Sequence, residues 1–461
     1  MSKPKSPRLS SRKPTTAGRI IKANVNSNFQ LLNEHAAGID IGADRHYVAV
    51  GPSASPHPVR EFSVFTKDLY AIADWLASCG VKTVAMESTG VYWVPLYEVL
   101  DERGFKVKLV DARKVKNVSG RKSDVLDCQW LQQLESYGLL QGAYRPEDQI
   151  IVLRGYMRQR GMLVKSAASH IQHMQKALQQ MNLRLDNVVS DITGQTGMRI
   201  LKAIIGGERD VKKLGAMRDR NCKASAEVIA QSLVGNYRQE HLFALKQAVE
   251  LFEFYQEKIQ ECETEMANYL RSLSGKRDDG LPPLDGSRKR QRMSFNVRAY
   301  AYRLTGVDLF RVKGFNSQTV LQIISEVGVD LSGFASQKQF ASWLSVSPNR
   351  RVSGGKVLSS RTKASNNRAA QAFRQAAVSV ARSESELGRY YRRMQARKGP
   401  GAAITATAHK LARLYYSLVK NGQEYDEGRA RADEARQRER MVSNLRKRAK
   451  GLGYELVALA A

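Results

Sequence analysis

The sequence predicts three parts in succession: an α/β domain built on a mixed sheet, a helical middle, and a second, mainly helical domain that is strongly basic. Three observations lead there. Short strand patterns alternate with helical ones between residues 34 and 148, apolar residues then fall into long heptad seams, and the charge shifts toward Lys and Arg after residue 340. A chain of 461 residues with 42% hydrophobic content can build two or three cores, so several domains are expected.

Composition narrows the function class. The 74 Lys and Arg exceed the 44 Asp and Glu by 30, which points to a polyanionic partner, nucleic acid by default. The excess is uneven: residues 341–420 hold 16 basic side chains against 2 acids, and residues 1–33 hold 7 against none. Such asymmetry favours a binding surface over a uniformly solvated protein. Cys79, Cys128, Cys222 and Cys262 stand far apart without a C-x-x-C pair, which argues against a zinc knuckle or a disulfide framework. With no apolar stretch of membrane length and no signal-peptide pattern, a cytoplasmic protein that works at the nucleoid, with no membrane partner, is expected.

Residues 1–33, rich in Ser, Lys, Arg and Pro, read as a disordered basic arm. Residues 37–42, 46–50 and 61–65 read as strands, 67–78 as a helix, and Val81 to Met86 as a fourth strand ending at Glu87. A helix over 91–103, a strand over Lys106 to Val110 and a helix from about Ser123 to Tyr137 complete the order β-β-β-α-β-α-β-α. A three-stranded meander followed by parallel strands added through crossover helices is the ribonuclease H-like (RuvC-like) arrangement, here assigned to residues 34–148.

Asp40 lies in the middle of the apolar strand Ala37-Gly38-Ile39-Asp40-Ile41-Gly42, where a carboxylate costs several kcal/mol unless paired, hydrogen-bonded or bound to a cation. In a sheet of this order Glu87 falls on the neighbouring strand, and Asp124 and Asp127, spaced i and i+3, share one face of the last helix. Four carboxylates at one point call for a compensating cation, and oxygen-only donors suit Mg²⁺ or Mn²⁺ better than zinc. The plainer reading makes Asp124 a helix cap and Asp127 a solvated side chain. Asp44 and Asp111 are further carboxylates that read as a turn residue and a strand end.

Residues 149–273 read as a coiled-coil helical region. Leu153, Met157, Arg160, Val164, Ala167, Ile171, Met174, Leu178 and Met181 form one seam with a single Arg. Leu245, Val249, Phe252, Gln256, Ile259, Glu263, Met266 and Leu270 form a second, with polar breaks at Gln256 and Glu263. The two could pair within one chain or across a dimer. Residues 274–300 read as a linker, 301–422 as the second domain, and 423–461 as an Arg-rich helical tail. Within the second domain, Val312 to Phe315 with Thr319 to Val327 resembles a helix-hairpin-helix entry whose Gly turn could meet a phosphate, and Pro348 is expected to end the helix that carries Phe340 and Trp343. Asn349-Arg350-Arg351-Val352-Ser353-Gly354-Gly355-Lys356 reads either as a plain loop or as a tight turn that exposes a serine among basic groups. Arg350, Arg351, Gly354, Gly355, Lys356, Lys363 and Arg368 are the candidate nucleic-acid contacts there.

Three segments together, Gly38-Ile39-Asp40-Ile41-Gly42, Met86-Glu87-Ser88-Thr89-Gly90-Val91-Tyr92-Trp93 and Lys122-Ser123-Asp124-Val125-Leu126-Asp127, resemble the N-terminal domain of the insertion-sequence-110 (DEDD) transposases. The stretch from Val312 to about Leu418, marked by Phe340-Ala341-Ser342-Trp343-Leu344, Ser347-Pro348 and Ser353-Gly354-Gly355-Lys356, resembles their second domain. Lys-Ser-Asp stands here for the usual Lys-Thr-Asp, Ser345-Val346-Ser347-Pro348 for Gly-Leu-x-Pro, and Asp111-Ala112 for Asn-Pro; none of these removes a proposed catalytic group. The resemblance implies a transposase or recombinase that cuts and rejoins double-stranded DNA at element ends and target. It implies Asp40, Glu87, Asp124 and Asp127 as ligands of Mg²⁺ or Mn²⁺, Ser353 as the nucleophile of a 5′-phosphoserine intermediate, a structured guide (bridge) RNA, and a homo-oligomer, dimer or tetramer. Ser345, Ser347, Ser359, Ser360, Tyr390 and Tyr391 are the competing nucleophiles. The rival functions are a metal-dependent nuclease or junction resolvase acting by hydrolysis, a non-catalytic nucleic-acid binder, and an actin-like ATPase, whose second phosphate hairpin is not found after residue 150.

Overall fold

The structure, a computed structural model, describes residues 31–88, 90–111, 124–273, 280–281 and 293–457, so all but the last three residues of the expected N-terminal arm and most of the expected linker lie outside the described residues. The chain divides into two compact units, the first ending at Arg145 and the second beginning at Pro146.

The first unit is a mixed five-stranded sheet. Strands β1 (Ala36–Ile41), β2 (Arg45–Ala49) and β3 (Val59–Ser63) form an antiparallel meander. Helix α1 (Thr66–Ser78) leads to β4 (Thr83–Glu87), which joins β1 in parallel, and α2 (Trp93–Glu102) leads to β5 (Lys106–Val110), parallel to β4. The sheet order is β3-β2-β1-β4-β5. The third strand lies two residues earlier than 61–65, because its pairing with β2 runs from Ala49–Val59 to Arg45–Ser63 and leaves Phe65 exposed as the residue before α1. One face of the sheet packs on α1 and α2 through Ile39, Ile41, Val48, Val84 and Met86 against Ile72, Leu76, Leu96 and Leu100. The other face carries α3 (Asp124–Ser136), whose Leu131 packs on Ala85 and Val110.

The second unit is mostly helical. Helices α4 (Asp148–Gln180) and α9 (Gln239–Ser272) pack antiparallel: Tyr269 Oη donates to the Gln149 carbonyl (2.7 Å) near one end, and the His170 and Tyr255 rings stack near the other. The two heptad seams therefore meet within one chain. Their polar breaks meet as well, since buried Arg160 donates from Nε to the buried Glu263 carboxylate at 2.7 Å, and Glu263 also accepts the Ser294 N–H at 2.6 Å. Between the pair lie the short helices α5 (Leu185–Val188), α6 (Gln195–Ile205), α7 (Val211–Ala216) and α8 (Ala226–Ser232).

After α10 (Val297–Thr305), whose start falls inside the expected linker, α11 (Ser317–Val327) docks on α4. Arg154 donates to the Ser325 and Glu326 carbonyls at 3.1 and 2.9 Å, capping the C-terminus of α11, while Arg158 grips the Glu326 carboxylate with two nitrogens at 3.2 and 3.0 Å. The Gly314 turn before α11 packs closely against helix α13 (Arg368–Val380): a Cβ there would lie 2.6 Å from the Ala376 carbonyl oxygen, so a packing contact accounts for this glycine without a phosphate. Helix α12 (Gln337–Trp343) ends before Pro348, by a reversal through Ser345 in the left-handed region (φ 56°). A two-stranded hairpin, β6 (Arg351–Ser353) and β7 (Lys356–Ser359), precedes α13, and α14 (Glu386–Lys398), α15 (Pro400–Asn421) and α16 (Glu427–Gly451) follow. Phe340, Phe373 and Tyr415, all fully buried, form the aromatic centre of this part. Among the described residues no helix is long and apolar enough to cross a membrane.

Candidate active site

Strand register brings the first two carboxylates together. Ile39 of β1 lies opposite Met86 of β4, both fully buried on the α1–α2 face, so the next residues along, Asp40 and Glu87, neighbour each other on the opposite face. Across the sheet this row continues from Asp40 to Tyr47 and Glu61 on one side, and from Glu87 to Val110 on the other.

Helix α3 brings the acidic pair to the same end. Ser136, its last residue, accepts the Leu32 and Asn33 N–H groups at 2.9 and 3.0 Å, which sets the helix C-terminus beside the start of β1. Lys108 of β5 pairs with the fully buried Glu135 at 2.8 Å and holds that end down. The helix then runs against β1, and its first turn, with Asp124 and Asp127, lies toward the carboxyl end of β1 where Asp40 stands. Gly38 permits this approach, because a Cβ there would lie 2.2 Å from both the Cys128 carbonyl oxygen and the Gln132 nitrogen. Gly38 belongs to the Gly-Ile-Asp-Ile-Gly pattern, but its packing role is a contact with a helix 90 residues away, which no local pattern announces.

Asp40 and Asp127 both bear on the Cys128 thiol. The Cys128 thiol is pushed up to about 12, chiefly by burial and then by the charge of Asp40, with Asp127 acting in the same direction. The neighbouring donors, Asp40 and Asp127, offer carboxylate oxygens, a set that suits a hard divalent cation. Among the described side chains, no three His, Cys, Asp or Glu residues are gathered tightly enough to hold a metal. The Asp124 side chain lies outside the described residues.

The serine segment has the opposite character. Gly354 and Gly355 form a two-residue turn with φ of 54° and 75°, the left-handed pair of a tight hairpin, and Ser353 and Lys356 face each other across it. Every residue from 351 to 358 is exposed, and a Cβ on either glycine would meet nothing within 4 Å. A register irregularity follows between Arg351 and Val352, with Arg351 opposite Ser359. Arg350, Lys363 and Arg368 are likewise exposed, Arg368 at the first turn of α13 with Asn367 as its cap. Among the competing nucleophiles, Tyr391 is buried, burial pushes the half-buried Tyr390 hydroxyl up while Lys410 sits over its ring, and Ser359 accepts the Arg361 N–H, whereas Ser360 is exposed like Ser353.

Comparison with known proteins matches both regions. Residues 37–183 match a family model for DEDD transposases of the IS110 type, described as transposase, and residues 308–392 match the model for transposases of the IS116/IS110/IS902 family. No curated protein matches the chain. The first stretch contains Asp40, Glu87, Asp124 and Asp127, and the second contains Ser353 and the basic residues around it.

Proposed function

Because the chain belongs to the IS110 family of transposases, matched over half of its 461 residues, we propose that this DNA-cutting enzyme of a mobile element works through a phosphoserine intermediate, with Ser353 as nucleophile and a carboxylate-bound Mg²⁺ or Mn²⁺. The observation that carries the reading is the convergence of Asp40, Glu87 and the first turn of α3 at the carboxyl ends of two adjacent parallel strands. We read the first unit as ribonuclease H-like on its strand order, and the α4–α9 pair as an antiparallel coiled coil.

Asp40, Glu87, Asp124 and Asp127 are the residues that would hold the cation, which when bound polarises the phosphate and offsets its developing charge. Ser353 Oγ attacks phosphorus, the bond to the 3′-oxygen breaks, and the 5′-phosphate stays on the serine, so that a later 3′-hydroxyl can rejoin the strand without an external energy source. The exposed hairpin gives the hydroxyl access, and its basic flanks, Arg350, Arg351, Lys363 and Arg368, bind the DNA backbone. A charge of +30 suits the double-stranded DNA of element ends and target together with a structured guide RNA, and pairing of two DNA sites calls for a dimer or tetramer.

The test is covalent capture. Incubated with element-end DNA, guide RNA and Mg²⁺ and then denatured, the wild-type chain carries DNA on Ser353, and Ser353→Ala carries none. Cleavage without adduct in the wild type would instead place the chain with the hydrolytic nucleases.

A further inference from the structure

We propose that Lys356 carries the negative charge of the scissile phosphate while Ser353 attacks it, which makes Lys356 a second catalytic residue of the hairpin. This inference rests on Ser353 being the nucleophile.

Ser353 and Lys356 are the two residues that flank the Gly354-Gly355 turn, and they pair directly across the strands. Side chains of such a pair leave the same face with Cβ atoms roughly 4.5–5.5 Å apart, a gap that the four-carbon stem of lysine spans. No side-chain hydrogen bond or ion pair engages either residue among those described, and both are exposed. An ammonium beside a free hydroxyl, on a tip where neither glycine has a neighbour, leaves room for a phosphodiester to touch both.

The chemistry of the segment supports an electrostatic role. From Asn349 to Arg382 there is no Asp, Glu or His, so the hairpin supplies no general base of its own. What the hairpin can supply to Ser353 is stabilisation of the phosphate it attacks. As the Oγ–P bond forms and the P–O3′ bond breaks, charge gathers on the two non-bridging oxygens; the serine proton passes to solvent and the departing 3′-oxygen takes one up. A cation opposite the nucleophile meets that charge where it develops. Arg351 is a poorer candidate, since it stands two residues along the strand from Ser353, opposite Ser359, whereas Lys356 lies directly across from the serine.

Adduct formation is measured with the full chain on element-end DNA that carries either an ordinary phosphodiester or an uncharged methylphosphonate at the scissile position. Lys356→Ala slows the reaction about 100-fold or more on the phosphodiester and leaves the methylphosphonate reaction within about three-fold of wild type, because there one charged non-bridging oxygen and the resident charge of the phosphate are absent. Lys356→Arg recovers most of the rate. Equal losses on both substrates would assign Lys356 to hairpin structure and overturn the proposal, as would a phosphodiester rate within about three-fold of wild type. Failure of the underlying reading looks different: an adduct that persists in Ser353→Ala moves the nucleophile elsewhere and removes this role with it.

Discussion

The two candidate halves of the chemistry stand on opposite kinds of scaffold. Asp40 and Glu87 extend from fully buried Ile39 and Met86 in the middle of a five-stranded sheet, under a helix whose backbone lies directly on Gly38. Ser353 sits on a two-stranded hairpin whose residues from 351 to 358 are all exposed. A seat for a divalent cation must hold like charges together, and only elements that cannot relax apart will do so. A nucleophile that enters a DNA backbone needs clearance on all sides, and a thin projecting turn gives it. Rigidity and access are thus divided between elements, and substitutions in the two places should fail in different ways.

The largest expected effect falls on activity at the rigid end. Asp40→Asn keeps the size of the side chain and removes its charge, so adduct formation should fall about 1,000-fold. Stability should change far less than activity, because Asn fills the space of Asp in a strand whose buried neighbours, Ile39 and Ile41, are untouched. Thermal unfolding without metal, read beside the adduct assay, checks both. A variant that keeps activity within about ten-fold of wild type would remove Asp40 from the cation site.

How much of this was legible depended on whether the signal was local. Asp40 was conspicuous as a charge in an apolar strand, and Glu87 as the acid that closes the next parallel strand; alternation and register then make them neighbours. Gly354 and Gly355 announced a turn, although the strands on either side were not expected. Arg160 and Glu263 were each visible as a flaw in a heptad seam, but that one flaw answers the other is a tertiary fact, 103 residues apart. Helix α14 is hard to read from sequence because ELGRYYRRMQARK offers few apolar positions, its buried side being built by Leu387 and Tyr391 with Glu386 and Gly388. The end of α12 was assigned to Pro348, where a serine in a left-handed conformation, which side-chain chemistry does not encode, does the work earlier.

One chemical change made at both places sharpens the contrast. In Gly38→Ala the new methyl meets helix backbone at 2.2 Å on two sides, which no rotamer can relieve. Helix α3 must lift, and unfolding should become easier by about 3 kcal/mol, with adduct formation lost as Asp127 leaves Asp40. Denaturant titration of the purified chain reads the first effect directly.

In Gly354→Ala the methyl meets nothing, and the only penalty is the left-handed backbone at φ 54°, worth about 1 kcal/mol for an L-residue. Since the hairpin belongs to no core, that cost falls on the hairpin alone, and global unfolding should not shift measurably. What should change is the fraction of hairpins that hold Ser353 and Lys356 face to face, so adduct formation should drop about three- to ten-fold. Gly354→Asn, which tolerates the left-handed region better, should lose less. If Gly354→Ala instead unfolds the chain as readily as Gly38→Ala, the hairpin is part of a core, and the division between a rigid seat and an accessible nucleophile does not hold.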